Sequence, residues 1–264
     1  MEEKSINNIR ELEEEVDALR QLIKDNKRHE YQLLSRTLFR GQANSNWELE
    51  TTLERYTKKP YSVTEYNTTL WAVAPATSSF THKEWAVERD YTPEKDFFSR
   101  PPSYEFMSYV RHHGFPSPLL DWSQSLYVAL FFAYQSANEA DSIAIYCYIE
   151  SLSSGKSGWV GSPQICELGP YVNTHKRHFS QQGQYTVAVK KQKDSWVYCT
   201  HKEAFDASKD KKQDLLYKFV MPGSIKNEVL SKLHEMNVNA FTLYSSEESL
   251  MNMLAYKEIT MKHL

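Results

Sequence analysis

The chain predicts an α+β fold, a mixed or antiparallel β core entered through a long N-terminal helix. Three observations carry that expectation. Ser142 to Ile149 alternates and is rich in Ile and Tyr, as a half-buried strand is. Leu126-Tyr127-Val128-Ala129-Leu130-Phe131-Phe132-Ala133 is apolar on most sides, which suits a helix buried in a core. Near the N-terminus, Ile9, Leu12, Val16, Leu19 and Ile23 step by 3, 4, 3 and 4, the period of an amphipathic helix.

Taken in order, residues 5 to 35 read as one long helix, with Asn26 at the next seam position. An exposed apolar stripe promotes association, so something must cover this seam. The candidates are a second copy, which makes a homodimer, or the body of the chain. Residues 1–35 and 36–264 are therefore expected as an N-terminal helix and one main domain. Thr37 to Arg40 reads as a strand entering a polar loop, and Glu48 to Tyr56 as a helix or return segment. Residues 57–102 hold several aromatics and close with Arg100-Pro101-Pro102, where a helix does not continue. Ser103 to His112 predicts a helix with Tyr104, Met107 and Val110 inward, and a short strand around Asp121 precedes the buried helix. After the strand from Ser142, residues 151–163 form a loop. Tyr185 to Val189, Trp196 to Cys199 and Leu215 to Val220 follow as strands. Pro222-Gly223 stops the last of these, Ser224 caps a helix through His234, Ala240 to Leu243 reads as a short strand, and a final helix begins near Ser246.

Composition narrows the function classes. A hydrophobic content of 41% with 13% aromatics describes a folded globular chain rather than a disordered one. With 34 acids against 31 bases, the overall balance does not announce a polyanion partner. The clusters Lys190-Lys191-Gln192-Lys193 and Lys209-Asp210-Lys211-Lys212 read as solvated loops. Three cysteines far apart, Cys147, Cys166 and Cys199, suit a reducing cytoplasm. No secretory leader is visible and no run approaches the ~20 apolar residues of a bilayer span, so a cytoplasmic protein without a membrane partner is expected.

The chemistry concentrates in Arg111-His112-His113-Gly114-Phe115-Pro116-Ser117-Pro118-Leu119-Leu120-Asp121-Trp122-Ser123. Asp121 and Ser123 lie two apart and share one face of a strand, so a rigid scaffold presents an acid, an indole and a hydroxyl at a strand end. His112 and His113 with Asp121 and a distant Glu suggest a metal-dependent hydrolase or nuclease. Adjacent histidines point in different directions, however, and no His-x-x-x-His spacing supports them, which favours a surface or hydrogen-bonding role.

This segment resembles the signature of the FRG-domain family, in which a His, Gly and Pro lead into Leu-Leu-Asp-Trp-Thr and an Ala/Phe-rich helix. Phe39-Arg40-Gly41-Gln42 supplies the motif that names the family, followed by Trp47, Leu49, Leu53 and Arg55. Arg177, Gln182, Gly183 and Tyr185 are similar to a further family element, and Asn239 to Leu250 sits where the family has an acidic Leu-Phe-Pro-Asp-Leu motif. The likeness runs over residues 36–256. Pro118 replaces a usual Arg, Leu126 a usual Pro, and Ser117 and Ser123 usual threonines.

In motif order the FRG pattern is similar to the ADP-ribosyltransferase fold. The resemblance implies an enzyme that uses NAD as substrate and passes ADP-ribose to a macromolecular acceptor, protein or nucleic acid, and it implies a bacterial toxin or antiphage effector. Arg40 would grip a pyrophosphate bidentately, with Gly41 and Gln42 beside it. Asp121, Trp122, Ser123, Gln182 and Gly183 would complete the cofactor site. Glu248, or its neighbour Glu247, would stabilise the developing oxocarbenium, and Trp122 or Tyr185 would offer a ring for stacking. The other class of reading is a non-catalytic module that binds a nucleotide, nucleic acid or protein in the same cleft. Each residue also has a plainer role: Arg40 pairs internally with Asp121, Asp121 caps the helix after Ser125, the two glutamates favour a helix dipole, and Gln182-Gly183 is a tight turn.

Overall fold

The computed structural model describes residues 1–27, 35–91, 93, 100–152, 156, 163–169, 172, 174–208 and 210–263. In chain order the elements are β1 (Glu2–Ser5), α1 (Ile9–Asp25), β2 (Thr37–Gln42), α2 (Thr52–Tyr56), α3 (Val63–Thr81), α4 (Tyr104–His112), β3 (Leu120–Ser123) and α5 (Leu126–Gln135). There follow β4 (Ser142–Ser151), β5 (Gln164–Glu167), α6 (Lys176–Ser180), β6 (Gly183–Gln192), β7 (Ser195–Tyr198), α7 (His201–Ala207), β8 (Gln213–Pro222), α8 (Lys226–Glu235), α9 (Ala240–Tyr244) and α10 (Glu247–Ala255).

The expected α+β architecture is present, built on one eight-stranded mixed sheet. Its order is β1-β8-β4-β2-β3-β6-β5. β7 runs along the β3 side of β6, because β3 and β5 flank Thr186 while β5 and β7 flank Val189. Only β1 with β8 is parallel among these pairings; the rest are antiparallel. β2 and β3 pair at a single register position, Phe39 opposite Ser123. The sheet forks there.

Alternation along the strands divides the core. Phe39, Ile143, Ile145, Cys147, Phe219 and Met221 meet α1, α5 and α8 on one face, while Leu38, Trp122, Tyr146, Tyr148 and Ala188 pack on the other with Ala204 of α7. A third cluster joins α3 and α4 to Tyr185, Val187 and Val189 of β6. Gly41 explains the closeness of α5. A Cβ there would lie 1.9 Å from the Ala129 carbonyl oxygen and 2.8 Å from the Ala133 nitrogen, so only glycine lets this helix lie directly on the strand.

Several sequence expectations need correction. The N-terminal helix begins at Ile9, because Asn8 caps it by accepting from the Glu11 amide at 3.0 Å, and residues 2–5 form an edge strand. Its distal part, 28–34, lies outside the described residues. Asn26 is the C-cap, its amide donating to the Leu22 carbonyl at 2.9 Å, rather than a seam residue. The seam Ile9, Leu12, Val16, Leu19 and Ile23 is buried in the chain's own core, so the reason to expect a dimer through it is gone.

The stretch expected as a strand from Ala240 to Leu243 is the helix α9, opened by a reciprocal cap between Asn239 and Thr242. Short apolar runs leave strand and helix undecided. Ser224 caps nothing; it lies in a 3-10 turn before α8, whose N-cap is Ile225. Pro75 and many Ser and Thr residues obscure α3 in the sequence, although its capping box, Ser62 with Glu65, is a legible signal. The loop expected over 151–163 falls largely outside the described residues. No helix among the described residues is long and apolar enough to cross a membrane, and Cys147, Cys166 and Cys199 form no disulfide among the described residues.

Two substitutions test this packing by denaturant unfolding. Gly41→Ala is expected to cost more than about 2 kcal/mol through overpacking against α5, and Leu12→Ala about 2–5 kcal/mol through a cavity beneath α1. An unchanged midpoint for Leu12→Ala would show that α1 is not integral to the core.

Candidate functional site

A cleft of about 440 Å³ opens where β2 and β3 part. β2 contributes Arg40 and Gly41, β3 contributes Asp121 and Ser123, and α4 contributes Arg111 and His112. The rest of the lining is Phe132 and Gln135 of α5, Arg177 and Gln181 of α6 and its C-cap, and Tyr244 of α9, while Tyr185 of β6 stands beside Asp121 in the β3–β6 ladder. Thr52 of α2 stands beside Arg111.

Asp121 is the hub. Arg111 grips it bidentately, Nε to Oδ1 at 2.6 Å and Nη2 to Oδ2, while Arg111 Nη1 donates to Thr52 Oγ1 at 2.5 Å. Arg40 Nη1 donates to the Asp121 carbonyl oxygen at 2.9 Å and lies 3.8 Å from Oδ2. The Arg111 side chain is 9% exposed, but that of Asp121 is 42% exposed because the cleft lies open above it. Burial alone would raise the Asp121 carboxyl. The charge and hydrogen bonds of Arg111, with help from Arg40 and His112, outweigh it and hold the group below its ordinary 3.8. The same balance raises Arg111: burial works against its charge and Asp121 prevails. Burial, with Arg111 and Arg55 nearby and only Asp121 and Tyr146 opposing, pulls Arg40 down to about 10, so it still carries its charge at neutral pH. Its Nε is buried without a hydrogen-bond partner among the described residues.

His112 hydrogen-bonds through Nε2 to the Tyr185 hydroxyl at 2.7 Å, and Ser108 Oγ donates to the same hydroxyl at 3.2 Å. Burial lowers His112 to about 4, against the pull of Asp121, and His178, Arg111 and His175 add to the lowering. It is neutral at pH 7. Across the cleft, Arg177 Nε donates to the Tyr244 carbonyl at 2.9 Å with its guanidinium 5.9 Å from the Tyr244 ring centre, and Gln135 Nε2 donates to the Tyr244 hydroxyl at 2.8 Å. The cleft thus holds fixed cations, an ionised carboxylate and neutral hydrogen-bonding rings.

The structure gathers some of the expected residues and scatters others. Arg40, Gly41, Asp121, Ser123 and Gly183 line the cleft. Ser123 Oγ, however, donates to the Gln181 carbonyl at 2.7 Å and accepts from the Ser125 amide at 3.0 Å, so its hydroxyl proton is engaged in the turn. The direction of a Gly41 side chain is filled by α5. Trp122 borders the cleft, but its indole is buried on the other sheet face, donating to Thr186 Oγ1 at 2.8 Å and packing on Tyr148. Gln42 is buried and donates to the Glu48 carbonyl at 3.1 Å. Gln182 takes a left-handed φ of 48° and turns the chain into β6 at Gly183, lining a different hollow beside Glu13 and Arg20. Glu247 and Glu248 are exposed in the first turn of α10. Glu248 is lowered first by its own backbone amide and by Ser246, and lastly by Arg177. The helix cap ascribed to Asp121 belongs to Ser125, which accepts from the Val128 amide. His112 and His113 join no group of three or more His, Cys, Asp or Glu able to hold a metal among the described residues.

Sequence reasoning missed Arg111 as the partner of Asp121, and Thr52, Gln135 and Tyr244 as wall residues. Arg111 had one signal, its place in the same motif as Asp121. Thr52 and Gln135 had none, being distant in the chain, and Tyr244 had only its place in the Asn239 to Leu250 stretch.

The fold and cleft define a mixed α+β domain with a charged site in the fork of its sheet. Residues 35–142 match the FRG domain family. That span supplies Arg40, Arg111 and Asp121; Arg177, Tyr185 and Tyr244 lie beyond it. No curated protein and no solved structure matches the chain.

Two outcomes test these charges. His112 and His201, lowered by burial to about 4 and about 3 from 6.5, bind protons more readily when unfolded. The stability these two neutral rings contribute is therefore fully present above about pH 6.5 and is lost as pH falls, toward 4 for His112 and toward 3 for His201. His112→Gln should flatten that decline in urea unfolding measured across the window. Asp121→Asn should cost about 1–3 kcal/mol at pH 7, since Arg111 loses its charge partner while the open cleft screens part of the effect. Because the folded Asp121 carboxyl is lowered, its stabilisation persists above 3.8 and disappears only as pH falls further.

Proposed function

We propose that the cleft binds NAD and breaks the bond between nicotinamide and ribose, passing ADP-ribose to a macromolecular acceptor or to water. The observation that carries this reading is an ionised acid, Asp121, held in one cleft with the guanidinium groups of Arg40 and Arg177. Nicotinamide leaves with the bonding electron pair and departs neutral, so the reaction needs no proton donor. It needs an anion to stabilise the positive charge that develops on the ribose. A carboxylate held below its usual range and a histidine neutral at pH 7 suit that demand better than one requiring a general acid. Arg40 and Arg177 are placed to receive a pyrophosphate, and Tyr185 and Tyr244 give the walls aromatic character.

Glu248 is the acid that the ADP-ribosyltransferase resemblance assigns to this role. Its exposed position on α10 makes Asp121 the stronger candidate. Transfer to a macromolecule would fit the toxin or antiphage setting that the resemblance implies. A second reading, a binding module without catalysis, draws on the same geometry, since Arg111 and Arg40 both direct donors to Asp121 and so hold the charges of the cleft in fixed places.

Incubation with labelled NAD, with and without cell extract, separates these. Nicotinamide release or label on a macromolecule is expected from the wild type. Asp121→Asn should lower the rate by about 10²–10³-fold, the scale for loss of an electrostatic stabiliser. Arg40→Lys should keep the melting temperature and lose most activity, because charge remains while the fork goes. Full turnover in Asp121→Asn with an inactive Glu248→Gln would return the role to α10, and NAD binding without release from the wild type would leave the binding module.

A further inference from the structure

We infer that Thr52 is a positioning residue of the cleft, its hydroxyl fixing the Arg111 guanidinium and, through it, the Asp121 carboxylate. For catalysis the inference rests on the NAD reading above; for Asp121 it rests on geometry alone.

Thr52 is the first residue of α2, a short helix set by a capping box in which Thr51 Oγ1 accepts from the Glu54 amide at 3.2 Å and Glu54 accepts from the Thr51 amide at 2.6 Å. A hydroxyl has one proton and two lone pairs. Thr52 Oγ1 accepts from Arg111 Nη1 at 2.5 Å and from the Ser117 amide at 2.9 Å, and it donates to the Ser117 carbonyl at 3.3 Å. All three valences are engaged, so the oxygen cannot rotate away without breaking a bond. The Leu53 amide donates to the same Ser117 carbonyl at 3.1 Å, which ties α2 to the segment leading into β3.

The surroundings make this contact consequential. Ser117 is fully buried and the Arg111 side chain nearly so, and a hydrogen bond in such a medium is stronger and dearer to lose. Arg111 uses Nε and Nη2 on Asp121 and Nη1 on Thr52. Two anchors on Asp121 alone would leave the guanidinium free to swing with the carboxylate; the third ties the pair to a separate element. Only the oxygen takes part in these bonds, so serine should serve as well as threonine.

The test follows the Asp121 carboxyl by carbon-detected NMR titration together with NAD turnover, in wild type, Thr52→Val and Thr52→Ser. Thr52→Val should raise the Asp121 midpoint and lower kcat about tenfold with KM within about twofold, the signature of lost alignment rather than lost binding. Thr52→Ser should restore both. A lower melting temperature in Thr52→Val with an unmoved Asp121 titration would overturn the inference, as would failure of serine to restore it. If valine prevents folding, Thr52→Ala, which leaves room for water, carries the same two readouts, and an unmoved titration there overturns the inference equally. Should the wild type turn over no NAD, the functional reading fails while the Asp121 titration still decides the role of Thr52.

Discussion

The bidentate pair between Arg111 and Asp121 is the interaction on which the cleft depends. Placing a guanidinium almost wholly inside protein is costly, and a carboxylate gripped in two places offsets much of that cost without adding large net stability. Its main effect is orientation. The pair stands where β2 and β3 cease to pair, and Arg40 donates to the Asp121 carbonyl across the gap. A continuous ladder at that point would satisfy the backbone and leave no room for a ligand. Side-chain donors take over part of the backbone's hydrogen bonding, and the sheet stays open.

Around that fork the walls are held by rigid elements. Gly41 lets α5 lie on β2, which brings Phe132 and Gln135 to the mouth. α6 and α9 pack together, and through Arg177 and Gln181 they hold Tyr244 and Leu243 by their carbonyls. One side of the cleft therefore comes from the segment that matches the FRG domain and the other largely from residues beyond it. The two sides meet only when the sheet has formed, with β6 beside β3.

Much of the architecture was legible where local chemistry and burial agree. α4, α5, β4, β6 and β8 followed from apolar periodicity, and a final helix was expected from about Ser246, where the structure adds a Ser246 cap. α9 and α3 escaped for opposite reasons: the first is too short for periodicity to separate helix from strand, and the second carries a proline and many hydroxyl residues inside a helix that tertiary burial of Val63, Tyr66, Leu70 and Ala74 supports. At the site, Arg40 and Asp121 were legible from their motifs. Arg40 was the one arginine weighed as an internal partner for Asp121, whereas Arg111, ten residues before it, makes the closer grip.

By itself, the sequence determined the α+β class, the apolar seam of α1 and the motifs bearing Arg40 and Asp121, since these depend on residue type and near-neighbour spacing. What covers the seam was decided by the tertiary structure, in which the sheet supplies an apolar face within the same chain. So were the primary grip of Arg111 on Asp121, the engagement of the Ser123 hydroxyl by Gln181 and the outward position of Glu248. These are contacts between groups brought together by strand order and register. Local spacing carries no information about which distant acceptor a donor will find, and a buried donor must take the one that the fold presents.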